Sequence, residues 1–528
     1  METPVFTKAA VAAPHMDAAN AGKAVLAEGG NAVEAMLAMA ATIAVVYPHM
    51  NGIGGDAFWT IREPGGRVLA IEACGYAGAK ATIARFRADE HEIVPRRGPL
   101  AALSVPGAVG GWALAREYAN AIGGKLPARV LLHDAIEKAR GGYRQSQSEA
   151  RYALREREAL FSAPGFAQNF LVDGKTPAAG ETRRNVKLGD TLDHLAGAGF
   201  DDFYRGDVGR EIAADFSRIG VPVAREDLIR YRPVLREPLQ LDFAGRALFN
   251  NPPPSAGLIG LLTLGLFERL GVERAESFQH IHGLVEASKR ALSFRARACV
   301  DFDRPRPDPA DFLTAKFLDR EAAKIDMGRA ASWPFAPEEG DTVWMGAIDP
   351  SGLAVSYIQS LFWEYGSGCV LPATGILLQN RGTSFSLDSA HPNALAPGKK
   401  PMHTLSAPLC VFGDGRVMSF GAMGGDGQPQ FQAQVLSRYL LSGDIAGALD
   451  APRFRFDRRW GAPQATLKLE DRFDPSLVTK LRAAGHEIEP SGLSYGDQFG
   501  HAGVLVREKS GRILAAHDPR SDGGAAGF

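Results

Sequence analysis

The sequence changes character at residues 329–341, and this change limits the folds that the chain can adopt. The segment RAASWPFAPEEGD is small, Pro-containing and then acidic, which is typical of a linker. Before it, apolar residues recur at helical spacing, most clearly in residues 32–47, 260–270 and 278–298. After it, strand-like runs dominate, with one helix at 430–441; the runs are 342–348, 353–360, 375–378, 405–412 and 416–422. We predict an α/β (α+β) protein, either two domains or one domain whose sheets pair across the linker.

Composition excludes several classes of protein. The chain has 528 residues, a hydrophobic fraction of 45%, a charged fraction of 23% and a formal net charge of −1. It can therefore bury a large core, but it offers no basic surplus for nucleic acid or for a membrane surface. Its four cysteines lie far apart and form no C-x-x-C motif, which predicts buried free thiols. We expect no metal and no cofactor.

The first residues and the most apolar helix bear on localisation. The N-terminal residues show no cationic stretch followed by an apolar one, so no signal peptide is predicted. The most apolar helix, residues 32–47, is shorter than the roughly 20 residues that span a bilayer. We therefore expect a cytoplasmic protein without a membrane partner.

Thr342 stands where the acidic linker meets a buried-looking strand. A threonine hydroxyl is a weak nucleophile unless a base is nearby, and an N-terminal threonine can use its own α-amine as that base. Such an amine has a pKa of about 7.7–8.0, suited to accept a proton near neutral pH. The amine is exposed only if the Asp341–Thr342 bond is cut, which the hydroxyl can do by attacking the Asp341 carbonyl. Taken alone, a threonine at the head of a strand is more often only that.

A Gly-rich turn lies between a predicted strand and a predicted helix. Its sequence is GAMGGDG, and Gly424 and Gly425 allow consecutive backbone N–H groups to converge on one point. That arrangement suits an oxyanion hole. The alternative is a plain strand-to-helix turn. The segment is not a P-loop, because no G-K-[ST] follows.

Two other signals carry less weight. The G-x-S-x-G pattern at residues 492–496 has only 32 residues after it, too few to complete an α/β-hydrolase sheet. His280 and His282 are two positions apart in a helical run, so they lie on different faces and do not predict a metal site.

Ten motifs occur in the order that is typical of one family. The chain resembles the γ-glutamyltranspeptidase family over nearly its whole length. The matching motifs are AxAGKAVLAEGGNAVEA (19–35), GIGGDAF (52–58), VPGAVGG (105–111), PPPSAG (252–257), Asp341-Thr342, GILLQN (375–380), KPMHTLSAP (400–408), Gly424-Gly425, APRF (451–454) and DPR (518–520).

The resemblance implies a fold and a processing step. The fold would be a four-layer αββα sandwich of the N-terminal-nucleophile hydrolases, built from both parts of the chain. The precursor would cut itself into residues 1–341 and 342–528, which stay together as one intertwined domain, a heterodimer that can itself dimerise. Thr342 would be the nucleophile, Gly424 and Gly425 the oxyanion hole, and Ser360 the hydroxyl that binds the nucleophile, where the family usually has threonine.

The sequence departs from the family at the residues that grip a γ-glutamyl group. Ile83 stands where an arginine is expected, and Phe362 where an asparagine is expected. An acidic residue is expected near Ser384, and a Ser-Ser pair where His403-Thr404 stand. Each lost charge-assisted bond typically costs about 2–5 kcal/mol of binding. The pocket is therefore predicted to be smaller and more apolar, and to suit a shorter acid.

Within the family, the chain looks most like the oxamate amidohydrolase branch. The phrases that carry this likeness are AATIAVVYPHMNGIGGDAFW, EACGYAGAKATI, VPGAVGGWAL and DDFYRGDVGREIA. That branch hydrolyses oxamate to oxalate and ammonia in purine-nitrogen salvage, through an acyl-threonine intermediate. The carboxylate of such a substrate needs a binder, for which His403, Thr404 and Arg381 are the candidates. The alternatives are a γ-glutamyltransferase or glutathione hydrolase, a cephalosporin-acylase-like amidase, and an inactive homologue that only binds.

Overall fold

A computed structural model describes residues 3–304, 307–332, 340–457 and 465–528, so residues 333–339 of the predicted linker lie outside it. The helices are α1 Met16–Ala27, α2 Ala32–Val46, α3 Ile83–Ala88, α4 Ala108–Ala121, α5 Ala128–Gly141, α6 Gln147–Arg155, α7 Arg157–Leu160, α8 Phe166–Phe170, α9 Val186–Ala198, α10 Asp202–Arg205, α11 Asp207–Ile219, α12 Arg225–Arg230, α13 Gly257–Glu268, α14 Phe278–Leu292, α15 Arg295–Ala298, α16 Ala315–Ala322, α17 Gln428–Ser442, α18 Ile445–Asp450 and α19 Pro475–Ala483.

The strands form two large sheets and two small ones. They are β1 Val5–Phe6, β2 Ala10–Ala13, β3 Asp56–Arg62, β4 Val68–Ala73, β5 Tyr143–Arg144, β6 Thr182–Arg183, β7 Val234–Arg236, β8 Leu239–Phe243, β9 Arg246–Asn250, β10 Asp341–Ile348, β11 Ala354–Phe362, β12 Leu409–Phe412, β13 Val417–Ala422, β14 Phe454–Asp457, β15 Thr466–Leu469, β16 Ile488–Pro490, β17 Ala502–Arg507, β18 Ile513–His517 and β19 Gly524–Gly527. The first seven-stranded sheet has the order β1-β18-β17-β13-β12-β9-β8, and the second has the order β19-β2-β10-β11-β3-β4-β7.

Each large sheet contains strands from both sides of the Asp341–Thr342 bond. In the second sheet, β10 pairs with β2 and β11, and β11 pairs with β3. In the first, β12 pairs with both β13 and β9. Neither part of the chain contains a complete large sheet, because the pairings of β2 with β10, β3 with β11 and β9 with β12 all cross that bond.

The two large sheets pack face to face. Trp344 of β10 fills the space between them, and its ring lies so close to β13 that a Cβ at Gly421 would approach it to 2.1 Å. Small and branched apolar residues of both sheets complete this layer, including Ala12, Val417 and Leu505. Trp344 also donates a 2.9 Å hydrogen bond to Ser356 of β11, so its polar atom is satisfied in the buried layer.

Helices cover the outer face of each sheet. α1, α2, α4 and α5 share one core with the second sheet, and α13, α14 and α17 share another with the first. The four layers of helix, sheet, sheet and helix confirm the predicted αββα sandwich. α2 is buried along its whole length, and it begins with a capping box in which Asn31 and Glu34 bind each other's backbone. Among the described residues, no helix combines the length and apolarity needed to cross a bilayer.

Most of the predicted elements near the site are present, with one difference. The predicted runs at 342–348 and 353–360 are β10 and β11, and the helix predicted at 430–441 is α17. Residues 375–378 are not a strand. Among the described residues they make only isolated bridges, Gly54 with Leu378 and Val370 with Leu377.

Candidate active site

Thr342 lies at an irregularity in the pairing of β10 with β11. Asp341 pairs with Phe362 and Val343 with Gln359, so the register shifts at the residue between them. Thr342 is 1% exposed. Its hydroxyl donates a 3.3 Å hydrogen bond to Ser360 Oγ and accepts one of 3.3 Å from the Gln428 side-chain amide. The irregularity thus turns this hydroxyl toward two polar side chains from other parts of the chain.

Ser360 connects the threonine hydroxyl with the peptide bond before it. Its Oγ accepts the bond from Thr342 and donates a 2.6 Å bond to the carbonyl oxygen of Asp341. It also accepts a 2.8 Å bond from the backbone N–H of Phe362. Phe362 has a φ of +85°, a left-handed conformation that is unfavourable for a residue with a side chain. The Thr342 hydroxyl and the Asp341 carbonyl oxygen therefore share one hydrogen-bonding partner, the Ser360 hydroxyl.

Gly424 and Gly425 form the turn between β13 and α17. Their φ values are +121° and +55°, which residues with a Cβ rarely adopt. The turn continues as a short 3₁₀ helix, Gly425–Gly427, so the first N–H groups have no acceptor within it. Gln428, the next residue, is the one that reaches Thr342. The turn therefore leads into the N-terminus of α17, whose first residue contacts the threonine.

Asp341, the residue before Thr342, has a buried carboxyl group. Burial, followed by the neighbouring Glu364 carboxylate and a hydrogen bond to it, raises the pKa of Asp341 well above its usual range. Burial would also raise the pKa of Glu364, but the Arg155 guanidinium and the bond from Asp341 outweigh it and lower that pKa. Arg155 Nη2 pairs directly with Glu364 Oε1. Asp341 is therefore the protonated member of an acid pair whose charge Arg155 balances.

A second group of predicted residues surrounds Phe362. The Arg381 guanidinium stacks on the Phe362 ring at 3.8 Å, and its Nη1 donates a 3.3 Å hydrogen bond to Thr404 Oγ1. The other face of this region meets the chain before the threonine, since a Cβ at Gly340 would lie 3.0 Å from the Phe362 ring. Arg381 is only 1% exposed. The Phe362 ring therefore separates the buried Arg381 guanidinium from the segment that carries Thr342.

Asp56 lies on the next strand of the same sheet face, and His403, in the loop before β12, approaches it. Asp56 of β3 is directly opposite Ser360 of β11, and opposite residues of an antiparallel pair project to one side, with Cβ atoms about 4.5–5.5 Å apart. His403 Nε2 is 3.6 Å from Asp56 Oδ2. Thr342, Ser360 and Asp56 therefore form one row across three adjacent strands, with His403 at its end.

The structure does not bring Ile83 to this group. Ile83 begins α3 and packs with Phe86 and Leu387 in a separate apolar cluster. It also lines a surface cavity with Val300 and His391. Ser384 is close to the site, but its hydroxyl donates to the backbone carbonyls of Arg381 and Met402 and so supports the loop.

Sequence reasoning did not single out three residues that the structure places beside Thr342. Gln428 directly follows the glycine turn, and this position in the sequence could have indicated that it belongs to the site. Asp56 lies inside the GIGGDAF motif at the start of a strand, where an isolated acid is a signal of the same kind. Glu364 had no signal, because its contact with Asp341 depends on how the chain turns after β11.

Two groups among the described residues have metal-ligand chemistry, and neither contacts Thr342. One is His282, Glu286 and His486, and the other consists of His194 and two partly exposed aspartates. In the first, His282 Nδ1 and His486 Nε2 are 2.8 Å apart, a hydrogen-bond distance. The Glu286 carboxylate accepts bonds from Lys289 Nζ at 2.8 Å and from the Ala331 N–H at 3.0 Å, so it already has partners within the protein.

Comparison with known proteins identifies the family. The model of the gamma-glutamyltranspeptidase family matches residues 18–528. The chain belongs to the gamma-glutamyltranspeptidase family. It is 44% identical to the oxamate amidohydrolase proenzyme of Klebsiella pneumoniae, over 99% of each chain. It is 35% identical to the glutathione hydrolase-like YwrD proenzyme of Bacillus subtilis, again over 99% of each.

Solved structures agree with this family. The cephalosporin acylase from Bacillus halodurans superposes with a TM-score of 0.91 and 30% identity, covering 100% of this chain and 97% of that one. The chain is therefore an amidohydrolase of the gamma-glutamyltranspeptidase family with the N-terminal-nucleophile hydrolase fold, and an enzyme.

Proposed function

We propose that this protein cuts itself between Asp341 and Thr342 and then hydrolyses a small amide acid, with oxamate as the first candidate. The observation that carries the proposal is the hydrogen-bonded connection from Thr342 Oγ1 through Ser360 Oγ to the Asp341 carbonyl oxygen. A nucleophile and the carbonyl that it attacks must be held in such mutual geometry. The proenzyme names of the relatives support the self-cleavage.

After the cut, the α-amine of Thr342 serves as the base. It takes the proton of the hydroxyl as Oγ1 attacks the amide carbon, and the N–H groups of Gly424 and Gly425 stabilise the oxyanion. The C–N bond then breaks, and ammonia leaves with that proton. Water attacks the acyl-Thr342 ester, which releases the acid and restores the hydroxyl.

The acid group of the substrate is assigned to the buried cation of the site. Arg381 and Thr404 already form one hydrogen-bonded unit, and the guanidinium is held flat against Phe362. Arginine in such a setting binds a planar carboxylate well. His403 lies on the neighbouring side, toward Asp56. The stacked Phe362 ring occupies space that a longer substrate would need, which favours a short acid. Ile83, by contrast, packs against a separate apolar cluster, so we assign it no direct contact with the substrate.

Intact mass and an ammonia-release screen test the proposal. Self-cleavage predicts chains of 341 and 187 residues, where 187 is 528 − 341, and Thr342→Ala should leave one uncut, inactive chain. The screen compares oxamate, glutamine, a γ-glutamyl amide and a glutaryl amide. An uncut wild type refutes the mechanism. Preferred release from the γ-glutamyl amide favours a glutathione hydrolase.

A cephalosporin-acylase-like amidase is the second candidate. It is favoured by the structural match to the Bacillus halodurans enzyme. Preferred cleavage of the glutaryl amide in the same screen would support it over an oxamate amidohydrolase.

A further inference from the structure

Two buried polar side chains beside the active site have atoms without hydrogen-bond partners. Within the described ranges, Asp56 Oδ2 and both ring nitrogens of His403 make no hydrogen bond. Asp56 is 1% exposed and His403 is fully buried. The 3.6 Å between Asp56 Oδ2 and His403 Nε2 is too long for a direct bond. Buried atoms without partners cost about 1–3 kcal/mol each, so a cluster of them indicates a place where a polar ligand completes the bonding.

The protein holds the Asp56 carboxyl so that one oxygen is free for such a ligand. Its Oδ1 accepts two 3.0 Å hydrogen bonds, from the backbone N–H groups of Gly75 and Gly107. These two bonds fix the plane of the carboxyl and leave Oδ2 directed toward His403. The Phe58 ring packs edge-on against the His403 imidazole, with ring centroids 5.2 Å apart, and limits how far the imidazole can move.

We propose that Asp56 is a specificity-determining residue: its protonated carboxyl donates a hydrogen bond through Oδ2 to the acid group of the substrate, with His403 bound to the same group. This rests on the proposed function, because it requires an acid substrate between Thr342 and Arg381. Ionised Asp56 would repel that acid, and it would leave the buried site with two facing carboxylates. Protonated Asp56 and a neutral imidazole together select a small anion instead of an ammonium-bearing substrate.

The electrostatic setting of Asp56 agrees with a proton on its carboxyl. Burial raises the pKa of Asp56 to about 7, against the opposing effects of the Gly75 and Gly107 N–H groups, the Arg381 guanidinium and the Gln379 side chain. Burial, and then Arg381 and Lys400, lower the pKa of His403 well below its usual range, so the imidazole is neutral.

The remaining titratable groups that interact with Asp56 are uncharged at neutral pH. Burial is the largest of the effects that raise the pKa of each of these groups. They are Cys74 after β4, Tyr204 of α10 and Tyr231 after α12. Asp56 is thus the group at this end of the row whose charge changes near neutral pH, and an anionic ligand beside it would favour its protonated form further.

Steady-state kinetics of ammonia release test this assignment. Oxamate is compared with oxamide, its uncharged analogue of similar size, between pH 6 and pH 9.5 (about the range set by Asp56 and the Thr342 amine). For wild type, KM for oxamate should rise roughly tenfold for each pH unit above the pKa of Asp56, and KM for oxamide should not. Asp56→Asn keeps an oxygen for the Gly75 and Gly107 N–H groups and a donor at the second position. It should remove the alkaline rise in KM for oxamate.

A matched control is Glu149→Gln. Glu149 is also buried with a pKa raised to about 7 by burial, but it lies beside Tyr143 and Arg183, away from the row. It should leave the pH dependence of KM for oxamate unchanged. An Asp56→Asn enzyme that keeps the alkaline rise, or one whose KM is raised equally at every pH, would overturn the assignment.

Calorimetry gives a second measurement. Oxalate, the product, is titrated into the wild-type enzyme and into Asp56→Asn at pH 8, each in two buffers of different ionisation enthalpy. Wild type should take up more protons per site than Asp56→Asn, because of the linkage between binding and protonation of Asp56, and equal uptake by the two proteins would overturn the assignment. If hydrolysis depends on Thr342 but uses no amide acid, the proposed function fails as well. If amide acids are hydrolysed with an unchanged pH profile in Asp56→Asn, only this inference fails.

Discussion

Replacing Ser360 by alanine is expected to slow self-cleavage strongly, because its hydroxyl serves three groups at the bond to be cut. It donates to the Asp341 carbonyl oxygen at 2.6 Å, and it accepts from Thr342 Oγ1 at 3.3 Å and from the Phe362 N–H at 2.8 Å. During attack by Thr342, the carbonyl oxygen becomes an oxyanion, and the bond from Ser360 strengthens with that charge. Loss of one such donor typically costs about 2.7–4 kcal/mol, or roughly 10²–10³ in rate.

The assay follows precursor and product chains over time by intact mass after cell-free synthesis. Ser356→Ala is the matched control, because Ser356 is a buried serine on the same strand that binds Trp344 and the Phe420 carbonyl instead. It should cut at nearly the wild-type rate, and Ser360→Thr, which keeps the hydroxyl, should cut faster than Ser360→Ala. If Ser360→Ala matures within about threefold of wild type, well below the loss expected for an oxyanion donor, the reasoning about this hydroxyl is wrong.

Three further changes should have distinct effects. Arg381→Ala should raise KM for oxamate by the equivalent of about 2–5 kcal/mol, since it removes the assigned partner of the carboxylate; steady-state kinetics would show this, and an unchanged KM would place the carboxylate elsewhere. Asp518→Ala should lower the free energy of unfolding by about 3–5 kcal/mol, because it removes the carboxylate partner of buried Arg453 and one of the two carboxylate partners of buried Arg520, as urea denaturation would measure. In the uncut Thr342→Ala precursor, the raised pKa of Asp341 means that its contribution to stability is present below about pH 4 and is lost as the pH rises. Adding Asp341→Asn to this precursor should therefore reduce the fall in Tm between pH 5 and pH 8 (roughly the window above the ordinary Asp pKa). An equal fall in Tm with and without Asp341→Asn would show that ionisation of Asp341 beside Glu364 does not destabilise the fold.

The sequence alone was sufficient for the parts of the site that are carried by local patterns. Thr342 follows an acidic linker at the head of a strand, and Gly424-Gly425 separates a strand from a helix. Both signals are read within a few residues, and the order of motifs along the chain then predicted the family and the sandwich. The structure places these elements side by side, and the Thr342 hydroxyl forms hydrogen bonds with Ser360 and with Gln428, the first residue of α17.

Only the tertiary structure decided which distant residues share the site. Periodicity tells whether a strand is buried, but it does not tell which strands are neighbours or in what register. The pairing of β11 with β3 sets Asp56 opposite Ser360, and the turn after β11 sets Glu364 against Asp341. The same limit applies to Ile83, whose position in a motif suggested the pocket, although α3 packs it into another cluster. Long-range strand pairing thus brings Asp56 into the site, because β3 and β11 are far apart in the chain and their register sets Asp56 opposite Ser360.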